Sequence, residues 1–593
     1  MKVVDGGILP EDSYRFQIVL DEECPLKVNY QTRSLEFFVE KPIHSPWPCL
    51  GQASVVTSGL SYASVATLAK DWLVKCETGH SQCKEKTTTV LPKRVLDVGT
   101  EDDKFVRLHH TSAGLDSYIA LSYCWGYPNN NLTTTLPTIG ERQAGIGWSL
   151  IPNTVCDAIL LTRLLGFRYL WVDALCIIQD SFQDWEEEAA KMGAIYEGAT
   201  LTLSATRAVS VDEGFIKPRD LTGHSVHEIP TEAPDGSMVS VFARVQFRHN
   251  EIIPSHLPPD PTNNPLVSRG WCFQERLLSR RTLHFLDKEL IWECRCNYWC
   301  ECRSGFHNLV NSASPFSQVL LDPSSHNLIS VWQRLISEYS RRSFTKYSDT
   351  LPALAGILQK FEDMGAGTYC AGLWRENLVF QLLWVADLSG VDTKGDRNIG
   401  PSWSWTSTPF PISWPFEDSN NQIMEVEITH VDTVGSERIR LISSPQVRIR
   451  LRGKLVSAYL DLYEEIVYLY RCSSKQGIND AIEQASVEQY AQFHSDVPFT
   501  DDQPRSKKVS PEETVFCLLF YSRPQFNIQV SGFDSPPASE DGGTPNGTVW
   551  FGLVLRPSGE KSIYERVGIA EGELTSDEPG WFDEVDLEDA ILV

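Results

Sequence analysis

The sequence has little positive charge and no long apolar run. Its 52 lysines and arginines are outnumbered by 78 aspartates and glutamates, for a formal net charge of −26. A field of that sign repels phosphate backbones and anionic membrane surfaces, which argues against nucleic acid as a partner. The run Arg276, Arg280, Arg281 is the best candidate for a local basic patch. No uninterrupted apolar stretch approaches the ~20 residues needed to span a bilayer. The most apolar segment, from Ala158 to Ile178, is broken by Arg163, Arg168 and Asp173. The opening Met1-Lys2-Val3-Val4-Asp5-Gly6-Gly7 lacks the basic-then-apolar pattern of a secretion signal. A cytoplasmic protein without a membrane span is therefore expected, and its 15 cysteines are expected as reduced thiols rather than disulfides. Also missing are a nucleotide-binding P-loop, internal repeats, a Gly-x-Ser-x-Gly elbow and a Cys-His-Asn arrangement.

What is present is an ordinary globular composition, 42% hydrophobic and 22% charged, over 593 residues. Residues 1–90 read as an irregular lead-in with a helix near Tyr62–Cys76. Tyr118 to Tyr123 reads as a buried strand and Pro152 to Leu165 as a helix stopped by Gly166. Tyr169 to Ile177 reads as a second strand. Ser181 followed by Asp184 resembles a capping box, opening a helix with Trp185, Ala189, Met192, Ile195 and Tyr196 on one face. Ala199 to Thr206 alternates apolar and hydroxylated residues as a third strand. Strand, helix, strand, helix, strand predicts an α/β domain with a parallel-type sheet flanked by helices. Residues 207–265 read as an excursion, Arg269–Arg280 as a helix and Thr282–Cys294 as a strand. From 305 to 593 the chain reads as a C-terminal α+β, partly β-rich region. It holds helices near Ile329–Tyr339 and Leu351–Glu362, strands in Val447–Leu455, Thr514–Tyr521 and Thr548–Leu555, a mobile loop at 531–548 and an acidic tail.

Four blocks carry a family resemblance. Tyr118-Ile-Ala-Leu-Ser-Tyr-Cys-Trp-Gly126, Leu170-Trp-Val-Asp-Ala-Leu-Cys-Ile-Ile-Gln-Asp180, Met192-Gly-Ala-Ile-Tyr-Glu-Gly-Ala199 and Arg269-Gly-Trp-Cys-Phe-Gln-Glu-Arg276 stand in the order of the blocks that mark fungal heterokaryon incompatibility (HET) domains. Pro401-Ser-Trp-Ser-Trp405 and Tyr564-Glu-Arg-Val-Gly568 extend the likeness more loosely. The resemblance puts the HET domain at 91–304, with core blocks 118–206 and 269–292. It implies a role in non-self recognition and regulated cell death. It also implies a distantly TIR-like fold, in which Trp271-Cys272-Phe-Gln-Glu275 is similar to the helix carrying the catalytic glutamate of TIR enzymes that cleave NAD⁺.

On that likeness Glu275 and Asp173 are the candidate catalytic residues, and Ser122, Tyr123, Trp125, Gly126 and Trp271 the candidate binding residues, with NAD⁺ as substrate. Trp271 and Glu275, four apart, share a helical face. A carboxylate there can stabilise an oxocarbenium-like ribose as nicotinamide leaves. Each residue has a competing structural role. Glu275 lies between Arg269 and Arg276 and can be the partner of either. Asp173 can brace its loop. Ser122, Tyr123 and Trp125 can be packing residues, and Gly126 a turn requirement. Glu188 is expected to pair with a buried arginine.

No metal is assigned, and buried or reduced thiols are the favoured reading. Zinc is the ion to weigh at Cys76, His80 and Cys83, at Cys294, Cys296, Cys300 and Cys302, or between the two groups. Two other functions compete: a non-catalytic signalling module acting as a homo-oligomer or with an incompatibility partner protein, and an enzyme of small-molecule biosynthesis.

Overall fold

The computed structural model describes residues 33–84, 89–126, 131–247, 264–302, 314–325, 327–388, 400–415, 423–432, 447–463, 466–471, 490–496, 514–524, 548–574, 581–583 and 585–593, with the strand backbones 2–5, 16–20 and 26–30. The loop expected at 531–548 lies, up to its last position, outside the described residues. The chain divides into two units, residues 1–326 with 353–360, and residues 327–352 with 361–593.

The first unit is built on a nine-stranded sheet in the order Ile146–Gly147, Phe105–His110, Arg94–Asp97, Tyr169–Trp171, Tyr118–Ser122, Leu201–Ser204, Arg281–Phe285, Leu290–Cys294 and Tyr298–Cys300. Its four middle strands, from Tyr169–Trp171 to Arg281–Phe285, are parallel. The outer pairings are antiparallel, so the sheet is mixed where a parallel type was expected. Thr282–Cys294 is accordingly a hairpin and not one strand. Tyr118–Ser122 is buried at every position, as a strand covered on both faces must be.

Local chemistry explains the helices. Ser61 and Ser64 form a reciprocal cap on Tyr62–Gly79, whose buried Val65, Ala69, Trp72 and Cys76 repeat at helical spacing. Asn153–Leu165 ends where Gly166 adopts φ +90°, a conformation suited to glycine. The second strand stops at Trp171, because Val172 caps a short helix, Asp173–Cys176, within the segment read as extended. Ser181 Oγ accepts from Asp184 N–H as a cap should. The helix it opens breaks in two, Phe182–Ala189 and Met192–Gly198. The buried arginine that meets this helix is Arg94, and it pairs with Asp184. Glu188, also buried, takes the exposed Lys191 instead.

The lead-in is not irregular. Lys2–Asp5, Phe16–Leu20, Leu26–Tyr30 and Arg33–Glu40 form successive antiparallel ladders, and Arg33–Glu40 then pairs with Met238–Val245 from within the excursion. Arg244, fully buried, bonds Glu36 at 3.1 Å across that ladder. The expected basic patch dissolves for a similar reason: Arg281 is buried and Arg276 is bonded to Glu293.

The second unit carries helices Leu328–Tyr339 and Leu378–Gln381 and a β-barrel. Ile449–Tyr463, Ile466–Arg471, Tyr490–Ser495, Ile563–Leu574, Thr548–Pro557 and Thr514–Pro524 pair in sequence around a ring, and Thr514–Pro524 returns to Ile449–Tyr463 to close it. Val456, Ala458, Phe493, Cys517, Trp550 and Val554 belong to its core. Closure removes the sheet edges that would otherwise invite aggregation. No helix among the described residues is long and apolar enough to cross a membrane.

Candidate functional site

Among the parallel strands, the chain first makes Tyr118–Ser122, then Tyr169–Trp171 on one side of it, then Leu201–Ser204 on the other. Strand order therefore reverses at Tyr118–Ser122, and the crevice beyond the strands' C-terminal ends at such a point is where open α/β sheets hold ligands. Ser122 is the last residue of that strand.

Glu275 reaches this point from the helix Trp271–Leu278. Ser122 Oγ donates to Glu275 Oε2 at 2.5 Å. Burial leaves Glu275 only 5% exposed. Desolvation raises its pKa to about 7, and the Asp173 charge adds to this against the opposing Ser122 hydrogen bond and Arg269. The two arginines considered as partners are engaged elsewhere. Arg276 bonds Glu293 at 2.8 Å, and Arg269 Nη1 donates to Tyr123 O at 2.8 Å. Among the described residues neither forms an ion pair with Glu275, so Arg269 acts on it through its field.

Asp173 is part-exposed, with both carboxylate oxygens in use: Trp125 Nε1 donates to Oδ2 at 2.8 Å and Ala174 N–H to Oδ1 at 2.7 Å. Desolvation nonetheless pushes its pKa up. Tyr123 is buried, and desolvation followed by the charge of Asp173 raises its hydroxyl well above the usual range. That hydroxyl has no hydrogen-bond partner among the described residues. Gly126 adopts φ +76°, and a Cβ there would stand 2.4 Å from Ser210 Cβ, so both backbone and space require glycine. Trp271 is half-buried, at the start of the Glu275 helix, and its ring meets Trp185 edge-on at 6.5 Å.

The structure thus brings Ser122, Tyr123, Trp125, Asp173 and Glu275 into one electrostatic neighbourhood. Gly126 takes part through the turn and Trp271 through its position on the helix. Sequence reasoning missed Tyr196, whose hydroxyl donates to Leu121 O at 3.0 Å and whose own pKa the Glu275 charge helps to raise after desolvation. Tyr196 lay within the third block, read there only as a core residue of its helix. Arg269, open to pairing with Glu275 on sequence alone, instead donates to Tyr123 O and anchors the turn after the first strand.

Residues 118–275 match the family model described as Heterokaryon incompatibility protein (HET). The chain carries a HET domain. The match begins at the strand that bears Ser122 and ends at Glu275, so this hydrogen bond joins the two ends of the matched stretch. No curated protein and no solved structure matches the chain.

Proposed function

We propose that the chain is an effector of fungal non-self recognition and regulated cell death, and that its HET domain cleaves the nicotinamide–ribose bond of NAD⁺ with Glu275 as the catalytic carboxylate. The observation that carries the proposal is a buried glutamate that forms no ion pair among the described residues, its pKa near 7, at the strand-order reversal of an α/β sheet. In the reaction, the electron pair of the N-glycosidic bond leaves with nicotinamide, and water adds to the ribose carbon. Ionised Glu275 would stabilise the cationic ribose and take the proton from water, a task for which a pKa close to the working pH is suited. Asp173 would add negative potential, Ser122 would orient Glu275, and Trp271 would offer a stacking face beside it. The likeness of Trp271–Glu275 to the TIR helix supports the same assignment.

A second reading, a non-catalytic signalling module, is favoured by the low exposure of Glu275 and by its satisfied hydrogen bond to Ser122. Incubating the pure protein with NAD⁺ and measuring free nicotinamide separates the two. The enzyme reading expects turnover that Glu275→Gln lowers by about 10²-fold or more, the scale of a lost electrostatic contribution to a transition state, with a melting temperature at neutral pH no lower than that of wild type. A wild-type protein that releases no nicotinamide, together with a Glu275→Gln variant that still triggers cell death, would leave the signalling module standing.

A further inference from the structure

The cysteines divide in a way that composition did not foretell. Cys300 and Cys302 face each other beside Glu289. Cys294 leaves that group and joins Cys76, His80 and Cys83, and the ligand atoms of these four lie within 4.8 Å of one another. We infer that Cys76, His80, Cys83 and Cys294 form a structural zinc site.

Two elements deliver the ligands. Cys76 is one helical turn before His80, the residue that caps Tyr62–Gly79, and the His80 N–H donates to Cys76 O. Both side chains therefore leave the same side of the helix end. The chain then folds back, Cys83 N–H donating to His80 O at 3.2 Å, and returns a third ligand to the same point. Cys294 ends the Leu290–Cys294 strand, where its N–H closes the turn on Asn297 O. Cys294 Sγ is 3.6 Å from His80 Nδ1. In a tetrahedron with Zn–S of ~2.3 Å and Zn–N of ~2.0 Å, sulfur and nitrogen are separated by roughly that distance. All four donors come from the protein, the arrangement of a closed structural site and not of a catalytic one. Three soft sulfurs and an imidazole select zinc over the hard cations.

Charge and surroundings agree with an ion here. Three thiolates and one Zn²⁺ leave a net −1. Arg281, fully buried, donates to Cys83 O and to Thr200 O, which places a cation beside the cluster; Glu77, part-exposed, is the acid it also approaches, at 3.6 Å. Trp299 packs on His80 with ring centroids 5.6 Å apart, and Trp72 and Trp292, in edge contact at 6.2 Å, belong to the same core as Cys76, Cys83 and Cys294. Cys296, half-buried, stands 3.6 Å from Cys83 Sγ, outside the four. The site would fasten the end of the Tyr62–Gly79 helix to the hairpin that carries Glu293 and, through Arg276, touches the Glu275 helix.

The test is zinc content and coordination of the full chain, purified under reducing conditions after expression with added zinc. One zinc per chain, with an X-ray absorption shell of three sulfurs at ~2.3 Å and one nitrogen at ~2.0 Å, is the expected result. Cys83→Ser and Cys294→Ser should lose the metal, while Cys300→Ser keeps it. Co²⁺ in place of zinc should give the visible absorption of a tetrahedral thiolate site. Protein that retains no zinc and takes up no Co²⁺ overturns the inference. So does a two-sulfur shell, which would move the ion to Cys300 and Cys302, or a disulfide from Cys83 to Cys294 or Cys296 found by peptide mapping. The absorption measurement needs only the wild-type chain, so a variant that fails to fold does not leave the question open.

Discussion

Glu275 and Glu293 are both buried carboxylates of the first unit, and burial is countered in only one of them. At Glu293 desolvation is outweighed by the charges and hydrogen bonds of Arg276 and His284, which hold its pKa down at about 2, and Tyr298 also donates to it. At Glu275 the Ser122 and Tyr196 hydroxyls and the charge of Arg269 do not suffice, and the pKa rises from 4.5 to about 7. The linkage has a definite sign. Between pH 4.5 and about 7 the native chain keeps a proton on Glu275 that the unfolded chain has released, so stability present at low pH is lost as pH rises through that window. The loss is on the order of 3 kcal/mol by pH 8. Glu275→Gln removes the titrating group. Denaturant unfolding at pH 5 and pH 8 should therefore show the variant gaining on wild type by about that amount between the two, on the order of 3 kcal/mol. An unchanged difference would mean that Glu275 titrates normally. Sequence alone left Arg276 open as a partner of Glu275, because adjacency along a helix says nothing of the hairpin that supplies Glu293, which lies in the segment read as a single strand.

At the scale of elements, packing turns on two glycines. The Met192–Gly198 helix meets the Ala355–Asp363 helix at Gly193 and Gly356, where a Cβ on Gly193 would lie 2.8 Å from Gly356 Cα. Gly356 N–H donates to Gln274 Oε1 at 3.1 Å, so the same contact holds the residue before Glu275. Gly193→Ala must push backbone against backbone and should cost about 1–3 kcal/mol, the range of an overpacked core; thermal unfolding measures it. The helices on either side of the central strands were legible in the sequence, since Ser caps, the Gly166 stop and a repeating apolar face act locally. The seven strands that include Arg33–Glu40 were not, because their alternation is weak and their order depends on Met238–Val245 far along the chain. Within the candidate site, the strand-end serine, the Trp125 turn and Glu275 were legible as motif residues. The bonds that orient them, Ser122 to Glu275 and Trp125 to Asp173, are long-range and were not.

Across the whole molecule, each unit uses a buried arginine to tie together segments far apart in the chain. In the second unit it is Arg566, from the Tyr564–Gly568 motif. It bonds Asp496 at 3.0 Å, donates to Leu382 O and Trp384 O, and stacks over the Trp384 ring at 3.5 Å. Trp403, from the Pro401–Trp405 motif, accepts from Trp384 Nε1 at 3.0 Å, so two segments singled out by resemblance meet in one network whose role is to brace the unit. Arg566→Ala would remove a buried ion pair to Asp496 and the donors to the Leu382 and Trp384 carbonyls, and should destabilise by about 3–5 kcal/mol, seen as an early transition in denaturant unfolding monitored by tryptophan fluorescence. The corresponding pair of the first unit, Glu36 with Arg244, joins residues 208 positions apart. At a ribosomal rate of about 5–20 residues per second, that separation is a wait of roughly 10–40 s for a nascent chain. Throughout it, the edge of Arg33–Glu40 that Met238–Val245 will cover has no partner strand and a glutamate with no counter-charge from Arg244. The exposure that the finished sheet conceals is therefore a matter of time, and a chaperone that shields edges during synthesis would act on this strand first.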